Sequence, residues 1–235
     1  DYFNTSHGIY FCDERKMGKL SLKNIRLKRD AFELFIPELN LESGRVLGLM
    51  GKSGCGKTTL LNAIAGFETL NSGEICLDGQ IISSLPAEKR RVAIVFQNPA
   101  LFSHLTILEN ICFGLKIQKV PKIEQIEKAR YWLRKLQIQG LEKRYPRDLS
   151  GGEAQRVSLA RSVIVGFPVL LLDEPFSSLD MELRAQARMA VKEVIKELNV
   201  VTLLVSHDLA DMEALADEVV AMESGKILPI KKIDV

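Results

Sequence analysis

The chain has 235 residues, 46% of them hydrophobic, and its 32 Lys plus Arg against 30 Asp plus Glu leave a formal charge of +2. That balance gives no global pull toward nucleic acid or anionic lipid, while the apolar share can fill the core of one large unit or two small ones. No run approaches the roughly 18 to 20 consecutive apolar residues that span a bilayer, and no basic, apolar, small-residue leader opens the chain, so it is expected neither to cross a membrane nor to be exported.

Residues 1–16 lack periodicity, and either a loose N-terminal extension or a start at Met17 is expected. The alternation in LSLKNIRL and AFELFIPELNL, between Leu20 and Leu41, predicts short strands that EICLDG later joins in an antiparallel layer. VLGLM (46–50), VAIVF (92–96), VLLLD (169–173) and VTLLVS (201–206) are almost wholly apolar, the pattern of parallel strands buried on both faces. Between the second and third of these lie PALFSHLTILENICFGLK, PKIEQIEKARYWLRKLQI and GEAQRVSLARSVIV, with apolar residues at helical spacing, so a helical insertion is predicted at about 98–160. A helix follows residue 182 in LRAQARMAVKEVIKEL, and EVVAMESGKI predicts a hairpin turning at Ser224-Gly225. Cys12, Cys55, Cys76 and Cys112 have no zinc or disulfide spacing, which fits a reducing compartment.

GKSGCGKT, from Gly51 to Thr58, matches GxxxxGK[ST] between an apolar strand and a helical run that continues through Thr59. Gly51, Gly54 and Gly56 let the backbone of Lys52, Ser53 and Cys55 turn tightly, so that successive N–H groups and a helix N-terminus hold anionic oxygens. Lys57 would reach the β- and γ-phosphates of a nucleotide, and the Thr58 hydroxyl would bind Mg²⁺. A glycine turn without a ligand is the plainer alternative. VLLLDEP brings Asp173 and Glu174 to the C-terminal end of a buried strand, where open α/β sheets bind ligands. Asp173 is the expected Mg²⁺ partner and Glu174 the expected base for an attacking water; two acids capping the next helix is the alternative.

LSGGE (149–153) opens a second glycine-bearing helix start, which Ser150 and Glu153 are also suited to close as a capping box. With GKSGCGKT, Gln97, LSGGE, VLLLDEP, SSLD (177–180) and Ser206-His207-Asp208 in that order, the chain resembles the nucleotide-binding domains of ABC transporters from about Leu20 to Ile227. The resemblance implies an α/β fold, with a P-loop NTPase core of mostly parallel sheet, an N-terminal antiparallel β layer and a helical insertion subdomain, over 17–235. It implies ATP hydrolysis with ATP and Mg²⁺ as ligands, Gln97 contacting metal and attacking water, His207 contacting the γ-phosphate, and Asp180 communicating across a dimer. It also implies that Ser150, Gly151, Gly152 and Glu153 face the γ-phosphate held by an opposite subunit, so that one chain carries an incomplete site.

In that family an aromatic residue of the first hairpin stacks on adenine. Counting back from Gly51 leads to Lys28, which is not aromatic, with Phe32 or Phe35 serving if the hairpin is shorter. FQNPALFSHLTILENICFGL (96–115) resembles bacterial importer ATPases, implying membrane-spanning permease subunits docked through Gln97–Leu115, a solute-binding protein reached indirectly, and a place on the cytoplasmic face of the membrane. An exporter or lipid-extraction ATPase is the nearest rival. A nucleic-acid-maintenance ATPase is the rival from another class, and the chain shows no basic stripe for it.

Overall fold

The computed structural model describes residues 18–228; the extension 1–16 and Met17 lie outside the described residues. The chain opens with two strands of eleven residues, β1 (Lys19–Arg29) and β2 (Phe32–Glu42), paired antiparallel around a two-residue turn. They are longer than the short strands the alternation predicts. Asn24 adopts a left-handed conformation (φ 51°) opposite Pro37, which has no N–H to donate, and the pairing continues beyond this irregularity.

The remaining elements are β3 (Val46–Met50), α1 (Lys57–Ala65), β4 (Ser72–Leu77), β5 (Gln80–Ile81), β6 (Val92–Val95), α2 (Ile107–Ile117), α3 (Lys122–Lys135), α4 (Gly151–Val163), β7 (Val169–Asp173), α5 (Met181–Leu198), β8 (Val201–Val205), α6 (Leu209–Leu215), β9 (Glu218–Glu223) and β10 (Lys226–Ile227). The strands form one continuous order, β5-β4-β1-β2-β10-β9-β3-β8-β7-β6. β9, β3, β8, β7 and β6 run parallel, β5, β4, β1 and β2 antiparallel, and β10 joins the two parts by pairing with β2 and with β9.

Side chains alternate across a strand, so a strand with helices on both faces feeds two cores. Leu170 and Leu172 of β7 join Trp132, Val157 and Val191 in the core beneath the helices α3, α4 and α5. Val169 and Leu171 join Leu60, Ile64 and the inward residues of β1 and β2 in the other. The unbroken apolar runs are thus the sequence of a two-sided sheet. The stretch 98–106 is not helical, although its apolar residues suggested a helix. Thr106 instead starts α2 through a capping box: its hydroxyl accepts from the Glu109 N–H while the Glu109 carboxylate accepts from the Thr106 N–H at 2.8 Å. Among the described residues no helix is long and apolar enough to cross a membrane.

The β9–β10 hairpin turns at Ser224 and Gly225, both left-handed (φ 47° and 77°), the pair of conformations a type I′ turn requires. Gly225 sits where the two parts of the sheet meet. Its carbonyl accepts from the Phe35 N–H and its N–H donates to the Cys55 carbonyl, each at 2.8 Å. A Cβ at Gly225 would lie 1.9 Å from the Glu33 carbonyl oxygen. Gly225→Ala is therefore expected to lower the unfolding free energy by about 2–4 kcal/mol. A urea titration would read this as a fall in midpoint, and an unchanged midpoint would mean that β2 yields without cost.

Candidate functional site

Where β3 ends, the chain turns through Gly54 (φ 78°) and Gly56 (φ 112°) and enters α1 at Lys57. These left-handed positions are cheap for glycine and costly for residues with a Cβ. The turn borders a cavity of about 610 Å³ lined by backbone and side chains of Gly51–Gly54 and Gly56–Thr59, together with Phe32, Gln97, Asp173, Glu174 and His207. Cys55 is buried and absent from that lining. A Cβ on Gly51 would meet its Sγ at 2.6 Å, which places the thiol beneath the loop.

Lys57 is only 7% exposed, and its Nζ donates to the carbonyls of Gly51 (2.7 Å) and Lys52 (3.2 Å). The loop's own backbone thus holds the ammonium in the cradle. The Thr58 hydroxyl donates to the Asp173 carboxylate at 3.0 and 3.3 Å, which joins the start of α1 to the end of β7. Burial pushes the Asp173 carboxyl above its usual range, opposed by the Thr58 hydrogen bond, and the adjacent Glu174 charge acts with burial. A hydroxyl and a carboxylate side by side, with the Gln97 amide on the same cavity, form the sparse all-oxygen set that suits Mg²⁺ completed by phosphate oxygens and water.

Glu174 leaves the sheet in a left-handed conformation (φ 46°), its N–H donating to the Val205 carbonyl at 2.9 Å. That conformation costs a residue with a Cβ about 1–3 kcal/mol and turns the side chain toward His207, whose Nδ1 lies 2.9 Å from Glu174 Oε2. The β7–β8 register, which pairs Asp173 with Val205, sets Glu174 beside the loop that carries His207. Gln97 lies one residue beyond Phe96, whose carbonyl accepts from Gln155 of α4 at 3.4 Å, while Arg161 of α4 donates to the Ala100 carbonyl at 2.6 Å. The segment after β6 is therefore tethered to α4 as well as to the sheet.

The remaining site candidates lie elsewhere. Ser150 caps α4 in a capping box, its N–H donating to Glu153 at 2.8 Å, and the same bond holds the Glu153 carboxyl below its usual range. Gly151 and Gly152 face Leu179 and Leu183 and do not line the cavity; Asp180 caps α5 by accepting from the Leu183 N–H at 2.9 Å. Phe32 borders the cavity, its Cζ 2.7 Å from where a Gly56 Cβ would stand, whereas Phe35 lies under the Arg26 guanidinium at 4.2 Å. Lys28, reached by counting back from Gly51, is not part of the cavity lining. Sequence reading also passed over Asn110, fully buried in α2, which bonds the carbonyls of Phe102, Leu105 and Thr106 and the Phe102 N–H, and so shapes the turn after Gln97. Only its place in an apolar helical face could have marked it.

The family described as ABC transporter matches residues 36–177. The spermidine/putrescine import ATP-binding protein PotA of Oleidesulfovibrio alaskensis is 44% identical over 190 residues, covering 81% of this chain and 51% of that protein. PotA of Vibrio cholerae is 42% identical, covering 92% of this chain and 58% of that protein. The chain thus spans little more than half the length of these relatives. A probable sulfate/thiosulfate import ATP-binding protein, CysA of Chlorella vulgaris, is 41% identical over 89% of each. A solved dimeric structure of a bacterial ABC transporter cassette superposes with a TM-score of 0.78 at 25% identity, covering 92% of this chain and 99% of that one.

In this cradle Lys57 is the buried ammonium, a full point charge that backbone N–H groups cannot replace. Lys57→Ala is expected to weaken binding of a Mg²⁺-nucleoside triphosphate roughly 10- to 100-fold, as for the loss of a charge-assisted hydrogen bond, without changing the far-ultraviolet dichroism. Calorimetry showing unchanged affinity would remove Lys57 from the phosphate site.

Proposed function

This chain belongs to the ABC transporter family, and from that premise we propose that it is the ATP-hydrolysing subunit of an importer, acting as a dimer beneath membrane-spanning partners on the cytoplasmic face. The observation that carries the reading is the convergence on one cavity of a glycine-rich phosphate loop, a hydroxyl–carboxylate pair and a carboxylate–imidazole pair. The importer branch draws support from the relatives named as import ATP-binding proteins.

In this reading the base of ATP stacks on Phe32, at the rim of the loop. N–H groups of residues 54–58 and the N-terminus of α1 hold the phosphate oxygens, and Lys57 turns from the loop carbonyls to the β- and γ-phosphates. Thr58, Asp173 and Gln97 would hold Mg²⁺, which when bound neutralises charge on the β- and γ-oxygens. Glu174 accepts the proton of the attacking water, its carboxylate oriented by the His207 ring. With the Nδ1 proton donated to Glu174, Nε2 is left for the γ-phosphate, to which it donates as the imidazolium, the form that carries a proton on each nitrogen.

Among the described residues, none of Ser150, Gly151, Gly152 and Glu153 at the start of α4 lines the cavity opposite the loop. Ser150, Gly151, Gly152 and Glu153, being outside it, are proposed to close the cavity of a second copy, where the N-terminus of α4 favours a triphosphate over a diphosphate. ATP would then join two copies and hydrolysis would release them. The permease contact is proposed at the groove of about 680 Å³ between α2 and α3, lined by Leu105, Leu108, Phe113 and Val120 with His104 and Lys116 at its edge. Burial pushes the Cys112 thiol there up to about 11, so it acts as a packing group.

Replacing the Glu174 carboxylate by its amide isolates the chemical step. Glu174→Gln is expected to retain Mg²⁺-ATP affinity while turnover, measured as phosphate release, falls roughly 10²- to 10⁴-fold. Hydrolysis at the parental rate would take the base role from Glu174.

A further inference from the structure

Two arginines one turn apart on α5 meet two aspartates at the start of α6, the capping Asp208 and Asp211 of the first turn. Arg184 pairs with Asp208 at 3.0 Å and Arg188 with Asp211 at 2.9 Å. Asp211 is 3% exposed and accepts, on its other oxygen, the Ser206 hydroxyl at 2.6 Å; that hydroxyl in turn accepts the Asp208 N–H at 3.1 Å. Asp208 caps α6 by accepting from the Ala210 N–H at 2.9 Å. His207 stands between these anchored neighbours with its own side chain 63% exposed, its ring bonded among the described residues to Glu174. Its place in the cavity is therefore set by Ser206 and Asp208, and through them by α5.

The Arg184 guanidinium reaches further. A second nitrogen donates to the Leu179 carbonyl at 3.1 Å and faces the Ser177 carbonyl at 3.5 Å, so one rigid group touches both the segment 177–180 and the loop that carries His207. Its Nε is buried with no hydrogen-bond partner. A buried donor left unused is costly, so this junction carries a polar cost at the very group that joins its two sides.

We propose that Arg184 is a positioning residue that makes the placement of His207 depend on the conformation of Ser177–Asp180. This rests on the reading of His207 as a γ-phosphate contact. Because a Cβ at Gly152 would stand 3.4 Å from Leu183 and 3.9 Å from Leu179, the helix start proposed to serve the second copy lies beside the same junction as the histidine serving this chain's own nucleotide. Arg188, tied to the buried Asp211, holds the junction to the body of the fold, and Arg184 joins its two sides.

The test compares Arg184→Met, which keeps the aliphatic stem, with Arg184→Lys, which can hold Asp208 or the carbonyls but not both. For Arg184→Met, kcat is expected to fall about 10- to 100-fold, as for a small misplacement of a reacting group, with Mg²⁺-ATP affinity within about threefold of the parent. Arg184→Lys should fall between the two. Imidazole resonances give a readout independent of activity. The His207 line, identified by its loss in His207→Ala, should shift or broaden in Arg184→Met, and the His104 line should stay. Parental kcat, or an unmoved His207 line in a folded variant, overturns the assignment; if Arg184→Met does not fold, parental kcat or an unmoved line in Arg184→Lys does the same. A parent that neither binds nor hydrolyses Mg²⁺-ATP sinks the functional reading and this inference with it, whereas an active parent with a silent Arg184 effect sinks this inference alone.

Discussion

The parallel hydrogen bonding of β3, β8, β7 and β6 delivers four chain ends to one edge of the sheet. Each end contributes a different group: β3 the phosphate loop, β7 the two carboxylates, β8 the histidine and β6 the glutamine. A one-residue slip between β7 and β8 would turn Asp173 and Glu174 to the opposite faces and separate Glu174 from His207. That register is protected because both faces of β7 and β8 are fully buried, so a slip would carry every side chain of one strand into the wrong core. Two-sided burial is thus what keeps the cavity's geometry in place.

Strain and polarity gather where those ends meet. Glu174 is left-handed, Asp173 is buried with its carboxyl raised, and Lys57 is a buried ammonium held by two carbonyls. Each is costly by itself and tolerated because the surrounding strands leave no alternative. Further from the chemistry, the same strand ends anchor the connection to the helical side, through Gln155 and Arg161 to Phe96 and Ala100 on either side of Gln97 and through Arg184 to the segment before α5.

What the sequence disclosed and what it concealed differ by range. The phosphate loop, the carboxylates at the end of β7 and the turn at Ser224-Gly225 were legible because a local backbone shape demands particular residue types at fixed offsets. Helical spacing found α2, α3 and α4 but extended too far back, since the apolar residues of 98–106 pack without forming a helix. The pairs Arg184–Asp208 and Arg188–Asp211 span 24 and 23 residues and join separate elements, so no local pattern announces them. Phe32 and Phe35 were both open choices for the base, and only the folded sheet shows that Phe32 borders the cavity while Phe35 lies under Arg26.

On the proposed reading, a cavity with a glycine-rich loop and a metal-suited pair, and with the second glycine helix start displaced from it, is half of a site shared between two copies. The most direct test is to measure the mass of hydrolysis-deficient Glu174→Gln protein in solution by light scattering at micromolar concentration, with and without saturating Mg²⁺-ATP. Completion of the site by a second copy requires a monomer without nucleotide, a dimer with it, and loss of the dimer when Ser150→Arg is added. A monomer under both conditions, or a dimer indifferent to nucleotide and to Ser150, would contradict the shared site.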